Sequence, residues 1–195
     1  MNMYLLFAVF AFLGAAIKYV DQAYDTGIFN KKVALILAAI SGILMGYVIT
    51  QDSIAGMLVL SFVIFAIASR KVDNKAFILT AAFTLIIPLI AILYGQTVTI
   101  DWLIFLVFIV SGIIDEEGNR RSYKGRLPEP IAIFFRYRMF MKVTVFLMAA
   151  LGFYGFEYFI AFILFDLTYL IIDIYSKKLL KVHYSKKWPQ TKLKS

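Results

Sequence analysis

The sequence predicts an all-α, polytopic membrane helix bundle of about seven transmembrane helices, N-terminus outside and C-terminus in the cytoplasm. Three observations carry this. The 195-residue chain is 62% hydrophobic with a mean hydropathy of +0.84, whereas soluble domains lie near ~45–50% apolar. Its apolar residues gather into seven stretches, most of them close to the ~20 residues that carry a helix across ~30 Å of hydrocarbon. All Lys and Arg residues fall in alternate gaps, in the C-terminal tail, or, as Lys18 and Lys142 do, at the adjoining span ends, which by the positive-inside rule places that side in the cytoplasm.

The expected spans are 4–20, 33–50, 54–69, 76–94, 99–114, 139–156 and 158–176. Met1-Asn2-Met3-Tyr4 lacks a basic leader, so the first apolar run is read as a retained span. It ends at Lys18, and Lys31 and Lys32 follow. The second span carries Ala38, Gly42 and Gly46, a small-xxx-small row expected to pack closely on another helix. Asp52 marks the short link to the third, after which come Arg70, Lys71, Asp73 and Lys75. Pro88 lies mid-way along the fourth and is expected to kink it. The fifth leads into the one long loop, 115–138, which holds Arg120, Arg121, Lys124, Arg126, Arg136 and Arg138. Tyr94, Trp102, Tyr154 and Tyr158 fit an outer aromatic belt around the later spans. Residues 1–176 thus read as a single transmembrane domain and 177–195 as a basic cytoplasmic tail, in which Leu179, Leu180, Val182, Tyr184 and Trp188 interleave with lysines as in an interfacial segment.

This organisation excludes several classes. With no cysteine there is neither a disulfide framework nor a Cys-based zinc site. The net charge of +8 is accounted for by loops meeting the anionic headgroups of membrane lipids, not by nucleic acid. No Ser/His/Asp arrangement or phosphate-cradling glycine loop is present. The external links are minimal, so chemistry is expected at the cytoplasmic face of the cell membrane.

Three acidic groups stand out. Asp21 and Asp25 follow the first span at i, i+4, which puts both carboxylates on one helix face. Asp115, Glu116, Glu117 and Asn119 follow the fifth, directly before Arg120, Arg121 and Lys124. Carboxylates suit a hard cation that bridges to phosphates, and guanidinium groups suit phosphate oxygens. Asp166 lies mid-way along the last span, where a carboxylate costs at least ~2.5–3.5 kcal/mol. It shares a stripe with Asp173 that runs to the cytoplasmic end.

Ile114-Asp115-Glu116-Glu117-Gly118-Asn119-Arg120-Arg121, with Gly125, Leu127 and Pro128 after it, resembles the second aspartate-rich motif of the UbiA superfamily of intramembrane prenyltransferases. Asp21-Gln22-Ala23-Tyr24-Asp25 resembles the tail of that family's first motif, and four spans separate the two, as in the family. The sequence departs from the pattern at Ile17 and Lys18, where the first motif has Asn and Asp, and at Gly112 and Asn119, where the second has Asp. The chain is also about two helices shorter. The resemblance implies a helical bundle around a cavity, with Mg²⁺ held by Asp21, Asp25, Asp115 and Glu117. It further implies an isoprenyl diphosphate whose phosphates meet Arg120, Arg121 and Lys124, and a lipid or aromatic acceptor.

Two other readings are open on the residues alone. One is a small transporter or channel that uses Asp166 and Asp173 as intramembrane polar groups. The other is a non-catalytic membrane assembly factor that docks a soluble partner through its basic loop and tail.

Overall fold

A computed structural model describes residues 1–68 and 74–187, which form eight helices: α1 (Met3–Asp25), α2 (Lys31–Gln51), α3 (Ser53–Ala68), α4 (Lys75–Leu93), α5 (Trp102–Tyr123), α6 (Glu129–Arg136), α7 (Met139–Ala150) and α8 (Phe156–Lys187). Arg70, Lys71 and Asp73, and the tail from Trp188 onward, lie outside the described residues. The short links are built from capping residues. Asn2, Asn30, Asn74 and Asp101 each turn a side-chain oxygen onto the first free N–H groups of α1, α2, α4 and α5. Asp52 does the same for Ala55 at the start of α3.

The helices are apolar on the outside. Ile36, Ile40 and Ile43 of α2, Leu103, Leu106 and Val110 of α5, and Leu167, Ile171 and Ile174 of α8 are all exposed, whereas Lys18 and Asp115 are only 7% and 3% exposed. This inverts the arrangement of a soluble protein. Among the described residues, four segments are long and apolar enough to cross a membrane: Met3–Asp25, Lys31–Gln51, Lys75–Leu93 and Phe156–Val182. α3 and α7 are apolar but shorter, at 16 and 12 residues.

α1 packs on α2 and α8, α2 on α3, α3 on α5, α5 on α7 and α7 on α8, which closes a ring; α4 adds to α2 and α6 to α5. One half of the ring is filled. Leu6, Phe10 and Leu13 of α1 meet Val48 of α2, Leu58 of α3, Phe108 of α5 and Val145 of α7 in a continuous core. The expected small-residue row of α2 is the α4 seam. A Cβ on Gly42 would come within 2.7 Å of the Thr80 carbonyl oxygen, and one on Gly46 within 2.7 Å of Ile87 Cβ. Thr80 Oγ1 donates to the Ala38 carbonyl across the same seam at 3.0 Å.

Four details differ from the sequence expectation. α5 does not stop at 114 but runs on to Tyr123, so the second acidic motif is helical. Ion pairs from Glu117 to Arg120 and Arg121, at i+3 and i+4, support that extension. The long loop contains α6, which begins at Pro128 with Pro130 in its first turn. α7 ends at Ala150, and a turn with Gly152 at φ +82° leads to α8. α8 continues through position 176 without a break.

Candidate functional site

The other half of the ring encloses a cavity of about 430 Å³. Its wall comes from the last turns of α1 and α3, the first turns of α4 and α7, the middle of α5 and of α8, and Met45 of α2. Much of the wall is aromatic, with Phe62 and Phe65 of α3, Phe77 of α4, and Phe162, Phe165 and Tyr169 of α8. The Phe62 ring is the hub. It lies 5.1 Å from Phe165 in a stacked arrangement and 5.8 Å from both Phe65 and Phe162.

The lining is also charged. Asp21, Asp25, Asp115 and Asp166 line this one cavity together with Arg138. The cavity thus brings together four of the acids singled out in the sequence, from three helices distant in the chain. The rest of the set lies elsewhere. Arg120 and Arg121 are about 60% exposed and paired with Glu117, with Arg121 Nε 2.7 Å from Glu117 Oε1. Lys124 is exposed at the end of α5. None of these four residues lines the cavity. The neighbouring guanidinium of Arg121, and then that of Arg120, hold the Glu117 carboxyl below the usual carboxylate range.

Each buried acid has a defined partner. Lys18 Nζ sits between α1 and α8, 2.8 Å from Asp21 Oδ2 and 3.1 Å from Asp173 Oδ1, and 4.9 Å from the centre of the Tyr169 ring. Lys177 takes the other oxygen of Asp173 at 2.5 Å. Lys142 of α7 pairs with Asp166 at 2.8 Å, which explains how an aspartate is held mid-way along an apolar helix. The Asp166–Asp173 stripe is therefore charge-compensated by lysines along its length.

Asp115 has a structural task that its sequence position does not reveal. Its Oδ1 accepts the N–H of Phe140 at 3.1 Å and its Oδ2 that of Met141 at 2.7 Å. These are second- and third-position amides of α7, so α5 supplies the cap that Arg138, the residue before α7, does not provide from its own side chain. Each carboxylate oxygen keeps a further lone pair toward the cavity. Arg138 itself stands at φ 50°, ψ 46°, among the described residues the one non-glycine with positive φ. Its Nη2 donates to Glu116 at 3.1 Å.

The departure at Gly112 and the motif glycine Gly118 both acquire packing reasons. A Cβ on Gly112 would come within 2.8 Å of the Phe65 ring, so a larger residue there needs that ring to move. A Cβ on Gly118 would overlap the Phe135 ring, so this glycine seats α6 on α5. Among the described residues no group of three or more His or acidic side chains is arranged to hold a metal ion. Comparisons with family models, with curated proteins and with solved structures find no match to this chain.

Proposed function

We propose that the chain is a seven-span protein of the cell membrane, N-out and C-in, whose cavity is the site of a UbiA-like, Mg²⁺-dependent prenyltransferase. The single observation that carries this reading is the shared cavity. Asp21, Asp25 and Asp115, from motifs four helices apart, line one chamber whose wall combines aromatic and acidic side chains. An amphiphile with an apolar chain and a charged, metal-bridged head has the matching chemistry.

Mg²⁺ prefers oxygen ligands and is commonly held by one or two carboxylates, with substrate phosphates completing the shell. No three carboxylates are gathered as a metal cage among the described residues, so one or two of Asp21, Asp25 and Asp115 would hold it together with the phosphates, and when bound it supplies neutralising charge to a leaving diphosphate. The chain's own groups do the rest. The aromatic wall takes the isoprenyl chain away from water. The allylic C–O bond breaks beside the side chains of Phe62, Phe165 and Tyr169, and the diphosphate leaves with the electron pair. The acceptor then bonds to that carbon, and the proton it loses passes to the departing diphosphate.

The test is calorimetric binding of farnesyl diphosphate to the purified full-length protein in detergent, with Mg²⁺ or with EDTA. The reading expects binding that needs Mg²⁺ and weakens at least about tenfold in Asp25→Asn. Identical heats with Mg²⁺ and EDTA would sink it.

A further inference from the structure

We propose that Arg138 grips the anionic head of the ligand in this cavity, the role that the sequence pattern gives to Arg120, Arg121 and Lys124. The proposal rests on the reading of the cavity as the seat of an anionic amphiphile.

Four observations point to it. Arg138 is the one cation among the described residues that line the cavity. Its backbone is left-handed, at φ 50°, a state that is strained for a residue with a side chain. The other positive-φ positions among the described residues, Gly27, Gly95, Gly125 and Gly152, are all glycine. At this one the chain keeps an arginine and tolerates the strain, as functional positions do. Third, the strained turn is held from both sides. The Arg138 N–H donates to the Phe135 carbonyl at 3.1 Å, and Asp115 clamps the two amides that follow Met139. Asp115 is in this respect a positioning residue. Fourth, Glu116 takes the Nη2 of the guanidinium, a group with five N–H donors in a planar fork suited to phosphate oxygens.

Glu116 pairs with one nitrogen of this cation and leaves its other N–H donors, and three of the acids lining the cavity face other groups. Asp21 faces Lys18 and Asp166 faces Lys142, while Asp115 faces the N-terminal amides of α7, whose dipole favours negative charge.

The experiment measures binding of farnesyl monophosphate and of farnesol to the full-length protein in detergent, without metal. The wild type is expected to prefer the monophosphate by about tenfold or more, the scale of a charged hydrogen-bonded contact. Arg138→Gly, and Arg138→Asn as a second variant suited to left-handed backbone, lose that preference and keep their affinity for farnesol. Arg138→Gly also melts no lower than the wild type, because glycine relieves the strain. The double variant Arg120→Ala/Arg121→Ala keeps the preference. So does Glu116→Gln, which breaks the ion pair but leaves the guanidinium; a purely structural Arg138 would respond alike in both. The proposal is overturned if the wild type shows no preference, if Arg138→Gly retains it, or if Glu116→Gln abolishes it. The Mg²⁺ dependence of farnesyl diphosphate binding is read separately. Its absence alongside an Arg138-dependent monophosphate preference overturns the prenyltransferase reading alone.

Discussion

Asp115 shows how one carboxylate carries two tasks that the sequence does not distinguish. Its position beside arginines pointed to phosphate and metal chemistry, and it does line the cavity. Yet both oxygens also cap α7. Asp115→Asn replaces one acceptor with an NH₂ that faces an N–H, so a loss of about 1–3 kcal/mol is expected. Thermal unfolding in detergent checks it, and a melting temperature equal to the wild type would remove the capping argument. Glu117 gives a pH prediction. Its carboxyl is held below the ordinary range by Arg121 and Arg120. The stabilisation is therefore present above the unfolded-state pKa and lost as pH falls through the lower folded-state value. A carbon-detected NMR titration of Glu117 should show a midpoint that rises in Arg121→Gln. At this scale the sequence displayed the acids but hid their partners. Lys18 with Asp173 and Lys142 with Asp166 are pairs across helices, and no local spacing signals them. Arg138 was visible only as another loop cation, because a left-handed φ leaves no mark on an arginine in sequence.

Among the elements, legibility followed hydrophobic contrast. α1, α2 and α4 were readable because they are long apolar runs ended by asparagine or aspartate. The end of α5 was missed because its hydropathy collapses at Asp115, although the Glu117–Arg121 pairing keeps the backbone helical. α6 was missed because eight amphipathic residues give too short a period to stand out from a loop. Pro88 lies within an unbroken α4, in keeping with the tolerance for proline inside apolar helices. The α2–α4 seam was the element-level expectation that translated most directly into packing. Gly42→Val should push Thr80 and Phe83 away and cost about 1–3 kcal/mol by overpacking, whereas Ile43→Val on the exposed face should stay within about 0.5 kcal/mol. Melting temperatures of the two variants, measured side by side, decide this.

For the whole molecule, composition gave the class and charge asymmetry gave the proposed orientation. The absence of cysteine makes that orientation directly measurable. Single-cysteine variants Gln96→Cys and Lys124→Cys, probed in intact cells with a membrane-impermeant maleimide, should label at 96 and stay protected at 124 until the cells are opened; the reverse pattern would invert the topology. What composition could not show is that the bundle is filled at one end and hollow at the other, because that depends on where Phe10 and Phe108 meet. The Lys142–Asp166 bridge has a consequence for biosynthesis under the seven-span arrangement. α7 is 12 residues long and carries a lysine in its first turn, so it is a poor substrate for the insertion machinery while it is the last helix made. Its neutralising acid arrives only with the middle of α8, beyond a five-residue turn. The two therefore enter the bilayer as a hairpin, in one step, and a nascent chain that ends after α7 leaves that helix stranded at the interface.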